Sequence, residues 1–293
     1  MSAADRGELM TEHGRGYPFA DHDLAHRLEH AEGAAGAAFV SARARVRPES
    51  MAEWTRLAGA WLLFDGAQSP VTQTFCLGLD EPADDRVLGE VEHFFHSRGA
   101  PVDHEVSPLV GCELPSLLCR RGYQPVELKN NLYRPIWPGV TLSASRNDRL
   151  RVRRIGLEEC DLWAQISARG WGEVPGAGDF MQDLGQLARE RTGGVCFLAE
   201  LDGMPIAAAG LAMHRGVALM AGASTIPEAR RQGAQLALLE ARLQHAAAEG
   251  CTLAMQGALP GSTSQRNAER HGFRIAYTLT KWRLDLPGAG DGG

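Results

Sequence analysis

The sequence predicts an α/β protein with two similar units, each a mixed β-sheet flanked by helices, preceded by an N-terminal helix. The chain has 293 residues, which is enough for about two domains of ordinary size. Its second half alternates strand and helix patterns in the order β-α-α-β-β-β-α-β-α-β, an order typical of a mixed sheet with helices packed on it. Part of this pattern already occurs about 150 residues earlier.

The first half begins with a long predicted helix over 21–46, where Leu24, Leu28 and Phe39 recur at helical spacing. Shorter segments follow, with β-rich runs that end in turn residues and helices that carry an apolar face. They are predicted strands at 61–64, 71–79 and 102–106, and predicted helices at 86–97 and 113–120.

The element boundaries are clearer in the second half, because Asp202-Gly203 and His214-Arg215-Gly216 mark the turns between three strands. Gly250 follows the longest helical pattern of this half, where a C-terminal cap belongs. The predicted strands are 150–155, 195–201, 204–213, 217–225, 251–255 and 273–283, and the predicted helices are 157–169, 180–191, 232–249 and 262–271.

Two segments indicate that the units arose by duplication. CRRGYQPVELKNNLYRPI (119–136) and ERHGFRIAYTLTKWRLDL (269–286) share a short helix, an R-x-G-aromatic corner and a β-rich run. Gly122 and Gly272 stand at equivalent places in these corners, and Gly99 and Gly250 both follow a preceding helix. The two nearly equal offsets favour duplication over coincidence.

The boundary between the units is predicted at 138–147, a stretch rich in Pro, Gly, Ser and Asn with no apolar period. The predicted domains are therefore 21–140 and 148–286. Loose polar tails are predicted at 1–20 and 287–293.

Composition excludes several classes of function. The net charge of −6 does not provide the broad positive field of a nucleic-acid-binding protein. No run approaches the roughly 18 apolar residues of a membrane span, and the first twenty residues lack the apolar core of a signal peptide. The six cysteines are widely spaced, which indicates reduced thiols and a cytoplasmic protein.

The segment that carries chemistry is ASTIPEARRQGAQLALL (223–239). A strand ends near Pro227, a basic turn with Gly233 follows, and a long helix begins in it. The free N–H groups of such a turn and the positive end of the helix dipole can hold a pyrophosphate, and Arg230 and Arg231 add charge. The alternative is a plain strand-to-helix turn with solvated arginines. The segment lacks the spacing of a Walker loop or of a dinucleotide fingerprint.

In this order the residues resemble the GNAT family of acyl-CoA N-acyltransferases, whose signature is Q/R-x-x-G-x-G/A between the fourth strand and the third helix. Arg230 and Gly233 match, whereas Gln235 stands where Gly or Ala is usual. RNAERHGFRIAYT (266–278) is similar to the last helix-strand motif of the family. The resemblance covers 150–286, and over 55–136 it is only a skeleton, so it implies a tandem protein with a degenerate first copy.

The resemblance implies acetyl-CoA, or another short acyl-CoA, as co-substrate and no metal. Backbone amides of 231–235 would hold the pyrophosphate, and the pantetheine arm would lie between 220–225 and 251–256, which splay apart. An N–H near Gly222 or Ala223 would polarise the thioester carbonyl. The implied cofactor-binding residues are Gly222, Ala223, Ser224, Thr225, Arg230, Arg231, Gln232, Gly233, Ala234, Gln235 and Asn267.

The catalytic acid of the family is missing. Many members carry a Tyr four residues before the Gly of the last corner, where this chain has Ala268. Asn267 and Tyr277 are the candidate substitutes. No carboxylate lies on the strand 217–225, so Glu173, Glu200 and His214 are the candidate bases, of which Glu173 is preferred because loops at its position border the acceptor pocket in this family.

The same loop supplies the predicted acceptor contacts. Trp171 lies among Gly and Pro residues, where a Trp has less reason to be buried, and is the main candidate with Glu173 beside it. We therefore predict an N-acyltransferase that acts on the primary amine of a small molecule, without nucleic-acid or membrane partners, and leave a homodimer open. A non-catalytic acyl-CoA sensor and a structural protein are the alternatives.

Two features of the first half have a structural interpretation. Asp80, Glu81, Asp84 and Asp85 crowd the turn that corresponds to the pyrophosphate turn, so the first copy is predicted to bind no CoA. The histidines at 22, 26 and 30 share one face of the first helix. A solvated stripe is the favoured interpretation, since a zinc site needs further ligands.

Overall fold

The computed structural model describes residues 16–142, 147–173 and 176–287. Its helices are α1 (His22–Val46), α2 (Asp85–His96), α3 (Glu113–Arg120), α4 (Cys160–Trp171), α5 (Ala177–Ala188), α6 (Ala234–Ala248) and α7 (Thr263–Arg270). Its strands are β1 (Glu53–Leu57), β2 (Ala60–Phe64), β3 (Gln73–Phe75), β4 (Val102–Val106), β5 (Gln124–Pro135), β6 (Leu150–Arg154), β7 (Gly194–Leu201), β8 (Met204–His214), β9 (Val217–Thr225), β10 (Leu253–Ala258) and β11 (Arg274–Leu284). None of the described helices is both long and apolar enough to cross a membrane.

Most predicted elements form, and the exceptions have local causes. The strand β1 was not predicted, because its first four residues are exposed and show no apolar alternation. The predicted strand 71–79 shrinks to β3, since Cys76 adopts a left-handed conformation with φ 64° directly after it. Tyr17 anchors the end of the predicted N-terminal tail by donating a hydrogen bond to the carbonyl oxygen of Gly272. Residues 1–15 and 288–293 of the predicted tails lie outside the described residues.

All strands join one mixed sheet in the order β1-β2-β3-β4-β11-β5-β10-β9-β8-β7-β6. The two halves exchange their last strands. The strand β5 of the first half pairs antiparallel with β10, and β11 of the second half pairs antiparallel with β4. The exchanged strands also pair with each other along most of their length. Each predicted unit therefore completes the sheet of the other, while the predicted boundaries at 21–140 and 148–286 stay predictions.

The first helix packs across the centre of this sheet. Leu24, Leu28 and Val40 on its inner face are buried. Gly33 and Gly36, which weaken the intrinsic helix propensity, are explained by close packing. A Cβ atom on Gly33 would lie 2.3 Å from Trp61 Cδ1, so the sheet side chains fill the space that these glycines leave.

A group of buried and half-buried polar side chains lies between α1 and the exchanged strands. Lys129 of β5 pairs with Glu32 (Nζ–Oε1 3.0 Å) and with Glu105. Glu29, one turn before Glu32, is buried, and its Oε1 has no hydrogen-bond partner. Burial, with the charge of Glu32 as a second cause, raises the pKa of Glu29 to about 8. Glu29 is therefore a neutral carboxylic acid at pH 7.

We expect this carboxyl group to make the protein less stable as the pH rises. Above pH 4.5 the unfolded chain loses the Glu29 proton and the folded chain keeps it, so the free energy of unfolding falls until about pH 8. Glu29→Gln removes the ionisation and should raise the free energy of unfolding by about 3 kcal/mol at pH 7. Denaturant titrations at pH 5 and pH 8 test this, and an equal gain at both pH values would contradict it.

Candidate active site

The strand β9 carries a bulge at the position where the sequence predicts a thioester-polarising N–H group. Ala208 pairs with Ser224, but Gly210 pairs with Ala221, so Gly222 and Ala223 together face a single residue of β8. Gly222 has φ 60°, a left-handed conformation that glycine adopts without strain. Bulges redirect backbone groups out of the sheet ladder, so the peptides at Gly222 and Ala223 are available to a ligand.

The strands β9 and β10 separate after Leu219 and Met255, as predicted. They pair in parallel only over Val217–Leu219 and Leu253–Met255. From Met220 to Thr225 the edge of β9 that faces β10 makes no ladder with it. The backbone groups on the facing edges are thus free to bond an extended chain inserted between the strands.

The helix α6 begins directly after β9 with an uncapped N-terminus. Gly233 is the N-cap residue with φ 89°, and no side chain caps the helix. Arg231 is also left-handed, with φ 65°. The first N–H groups of the helix consequently remain available, and together with the helix dipole they favour a phosphate ligand. Gln235, the departure from the family signature, is accommodated because its amide donates to Thr225 Oγ1 at 2.8 Å.

The bulge, the open edge of β9 and the helix N-terminus border one cavity of about 820 Å³. This volume lies in the range of small-molecule and cofactor sites. The predicted residues that line it are Gly222, Ala223, Ser224, Thr225, Arg230, Arg231, Gly233, Ala234, Gln235, Asn267 and Trp171. Gln232 is not among the lining residues, and its carbonyl oxygen accepts a hydrogen bond from Asn147 (3.1 Å).

Trp171 is the last residue of α4 and not a loop residue as predicted. Its indole Nε1 is buried and has no hydrogen-bond partner. A buried donor without a partner is costly unless a ligand or water satisfies it. Gly170 beside it lets α4 approach β9, because a Cβ atom there would lie 2.3 Å from Ser224 Oγ.

Glu173 lies next to the site but does not line the cavity. Its Oε2 is 2.8 Å from a guanidinium nitrogen of Arg230. This hydrogen bond, and then the charge of Arg230, lower the pKa of Glu173 from its usual value. A carboxylate held in its ionised form by an arginine is a weak proton acceptor. Its role as base and acceptor contact stays a prediction.

The structure does not bring the remaining predicted catalytic residues to the cavity. Tyr277 is buried against α1, where it accepts a hydrogen bond from Asn131 Nδ2 at 3.4 Å, and burial with the charge of Glu29 raises its pKa. Glu200 pairs with Arg153 at 2.8 Å. His214 is the last residue of β8 and is not among the described residues that line the cavity. Of the two candidate substitutes for the tyrosine of the family, Asn267 lines the cavity and Tyr277 does not.

Among the cavity residues that were not predicted from the sequence, His271 and Arg242 can contribute to the chemistry. His271 lines the cavity, and burial together with Arg134 and Arg270 lowers its pKa, so it is a neutral proton acceptor at pH 7. Arg242 of α6 is buried under the bulge and donates to the carbonyl oxygens of Gly210 (3.1 Å) and Ala221 (3.4 Å). Arg242 lies in the apolar-faced pattern of α6, and His271 directly follows the polar helix α7, so neither was singled out from the sequence.

Arg242 fixes the orientation of the bulge. In a trans peptide the N–H points opposite to the C=O, so the hydrogen bond to the Ala221 oxygen sets the direction of the Gly222 N–H. Burial lowers the pKa of Arg242 to about 10, which leaves it charged at pH 7. Among the described residues, no carboxylate lies within salt-bridge distance of the Arg242 guanidinium. Hydrogen bonds to backbone carbonyl groups alone therefore offset the free-energy cost of removing this charge from water.

The corresponding turn of the first half is closed by its own side chains. Asp80 Oδ1 lies 3.0 Å from His30 Nε2 and 3.1 Å from His26 Nε2, and Arg56 binds its other oxygen at 3.1 Å. Asp84 caps α2 by accepting a hydrogen bond from the N–H of Val87 (2.8 Å). The helix N-terminus is therefore already occupied by an acid, which supports the prediction that this copy binds no CoA.

The interpretation of the histidines as a solvated stripe is wrong for His30, which is buried. His26, His30 and Asp80 bring three potential ligand atoms within 4.8 Å of one another. However, Trp61 Nε1 donates to His30 Nδ1 at 3.0 Å, so neutral His30 carries its proton on Nε2 and donates it to Asp80. If a metal bound His30 Nε2, the ring proton would have to sit on Nδ1, where it would face the N–H of Trp61. The cluster therefore fits hydrogen bonding better than metal binding.

Comparisons with known proteins agree with the fold. The acetyltransferase (GNAT) domain family model matches residues 148–257. A GCN5-related N-acetyltransferase from Kribbella flavida is similar over 86% of this chain and 96% of that chain, with a TM-score of 0.61 and 20% identity. A tandem GNAT protein from the clavulanic acid biosynthesis pathway is similar over 91% of this chain and 96% of that chain, with a TM-score of 0.54 and 11% identity.

A GCN5-related N-acetyltransferase from Sphaerobacter thermophilus is similar over 73% of this chain and 74% of that chain, with a TM-score of 0.52 and 16% identity. No curated protein sequence is significantly similar to the chain. The predicted tandem GNAT architecture is confirmed.

Proposed function

We propose that this protein transfers an acetyl or another short acyl group from CoA to the primary amine of a small molecule, because residues 148–257 match the acetyltransferase (GNAT) domain family model. The observation that carries the proposal is the meeting of three features in one cavity of about 820 Å³. These are an uncapped helix N-terminus, an open strand edge and a glycine bulge. They match the three parts of an acyl-CoA, which are the pyrophosphate, the amide-bearing pantetheine arm and the thioester.

The residues present fit an acyl-CoA by charge as well as by shape. Arg230, Arg231 and Arg270 line the cavity. Arg230 is exposed and can leave Glu173 for a phosphate, because both partners of that pair are solvated. The N–H groups of Gly233, Ala234 and Gln235 would then complete the pyrophosphate cradle.

The reaction needs little chemistry from the protein. The amine nitrogen attacks the thioester carbon, the new C–N bond forms, the C–S bond breaks, and CoA leaves as a thiolate. The bulge amides stabilise the negative charge on the carbonyl oxygen. His271 lines the same cavity and would take the proton of the attacking amine, and the thiolate would take a proton from water. Holding the two reactants together supplies most of the rate gain.

Thiol release tests the proposal. We expect purified protein with acetyl-CoA to release free CoA only when an amine from a broad panel is added. A thiol-reactive dye follows the release, and calorimetry of the same sample measures CoA binding. Binding without release for every amine would replace the transferase proposal with the sensor function, since Ala268 stands where the family acid is usual.

Arg242 should act as a positioning residue in this reaction. Arg242→Met releases the Gly210 and Ala221 carbonyls, so the Gly222 N–H loses its fixed direction and kcat should fall about 100-fold, the order of one lost oxyanion donor. The Kd for CoA, measured by calorimetry, should change less than threefold. Arg242→Lys keeps a donor and should recover part of kcat. An unchanged kcat in Arg242→Met, or an equal loss of CoA affinity, would contradict this role.

A further inference from the structure

A second cavity borders the β9 bulge, next to the cavity of about 820 Å³ that we propose binds CoA. It has a volume of about 250 Å³ and is bordered by α4, α5 and the strands β7 to β9. Most of its wall is apolar, with Trp163, Phe180, Met181, Leu184, Val195 and Leu211 as examples. Gly222 borders both cavities. A Cβ atom on Gly222 would meet no atom within 4 Å, so open space adjoins the bulge.

Arg191 is the charged residue in this otherwise apolar wall. Its Nε is buried and has no hydrogen-bond partner, and no carboxylate lies within salt-bridge distance of it among the described residues. Arg189, two residues earlier, is exposed and pairs with Asp161 at 2.9 Å. Burial lowers the pKa of Arg191 from its usual value.

An uncompensated arginine in an apolar cavity indicates a ligand with a negative charge. Arg191 is half-buried, and a partly desolvated cation without a partner costs free energy that an anionic ligand can return. A carboxylate matches the guanidinium with two parallel hydrogen bonds. The other nearby titratable wall residue, Cys196, is a neutral thiol, because burial raises its pKa to about 12.

We propose that this cavity is a substrate subsite that receives a short apolar chain ending in a carboxylate, with the carboxylate bound to Arg191. The proposal rests on the proposed function, because the reacting thioester would lie at Gly222. A cavity of about 150 Å³ holds a benzene ring, so 250 Å³ has room for a chain of about six carbons. The chain can belong to the acyl group, as in an ω-carboxyacyl-CoA, or to the amine, as in an amino acid.

Matched substrates distinguish the two sources. One series varies the thioester, with succinyl-CoA and glutaryl-CoA against butyryl-CoA and valeryl-CoA, and a fixed amine without a carboxylate. The other series varies the amine, with amino acids against the corresponding amines without a carboxylate, and acetyl-CoA as donor. We expect kcat/KM to favour the carboxylate by at least tenfold in one series. No preference in either series would overturn the proposal.

Variants assign the preference to Arg191. Arg191→Met should lower the ratio of kcat/KM for the preferred acid to that for its neutral analogue at least tenfold, and Arg191→Lys should restore part of it. Arg189→Met, the matched surface control, should keep the ratio of the wild type. An unchanged ratio in Arg191→Met would overturn the proposal.

The cavity itself can be tested separately. Leu184→Phe reduces its volume and should lower kcat/KM for the preferred carboxylate substrate at least tenfold relative to acetyl-CoA with a small neutral amine. An unchanged preference would overturn the assignment of the chain to this cavity.

Calorimetric titration of CoA separates this proposal from the proposed function. If CoA does not bind to the wild type, the proposed function fails and the subsite fails with it. If CoA binds and acetyl transfer occurs, but no charge preference depends on Arg191, only the subsite proposal is wrong.

Discussion

Gly233→Asp will reduce the affinity of the protein for CoA at least 100-fold, or about 2.7 kcal/mol. Gly233 is the N-cap of α6, and its position lies where the pyrophosphate would meet the helix. An aspartate there places a negative charge against the phosphates and competes for the first N–H groups of the helix. The acidic turn of the first half, with Asp80 to Asp85, already shows this arrangement in the same chain.

The matched control is Gly233→Asn, which has the same shape without the charge. Asn tolerates the left-handed conformation required at φ 89°, and a Cβ atom at Gly233 would lie 3.6 Å from Leu150 Cδ1, an ordinary contact. We expect Gly233→Asn to bind CoA no more than about tenfold weaker than the wild type. Equal affinities of the Asp and Asn variants, measured by calorimetry, would show that charge at this corner does not matter.

The second half expressed alone, as residues 147–287, will not fold into a CoA-binding domain. In the intact protein β10 and β11 are not neighbours, because β5 of the first half lies between them. Without that half, β11 loses its partners β4 and β5, and β10 loses the partner on one edge. Their unpaired backbone groups and exposed apolar faces favour aggregation.

The control keeps both halves and breaks only the connection. A protease site inserted between residues 142 and 147 should allow cleavage without separation, and the cleaved protein should still bind CoA. Gel filtration, circular dichroism and CoA titration compare the two preparations. A folded, monomeric fragment 147–287 that binds CoA like the intact chain would contradict the structural role of the exchanged strands.

The sequence predicted elements more reliably than their arrangement. Turn residues and apolar periods fix local structure, so β4, β9 and α3 have the predicted bounds. The duplication was visible in two offsets, but an offset does not reveal which sheet receives the strand after the R-x-G-aromatic corner. Both β5 and β11 have the same strand pattern, and only their pairing with the other half shows the exchange.

In the candidate site, too, the parts formed by one continuous segment were predictable, and the parts set by packing between segments were not. The corner proposed to bind the pyrophosphate was predictable because it is a continuous stretch of backbone from the end of β9 into α6. Tyr277 was misplaced because the pattern of a strand does not tell which layer covers each of its faces, and α1 covers this one. Arg191 and Arg242 were missed because their importance comes from the absence of a nearby acid, and sequence spacing does not report that absence.

The central claim is that the corner between β9 and α6 binds acyl-CoA and that the corresponding corner of the first half does not. Calorimetric titration of acetyl-CoA into the intact wild-type protein tests it most directly. One molecule bound per chain, with tighter binding at low salt because phosphates meet arginines, is the predicted result. No binding, or two molecules bound per chain, would contradict the claim.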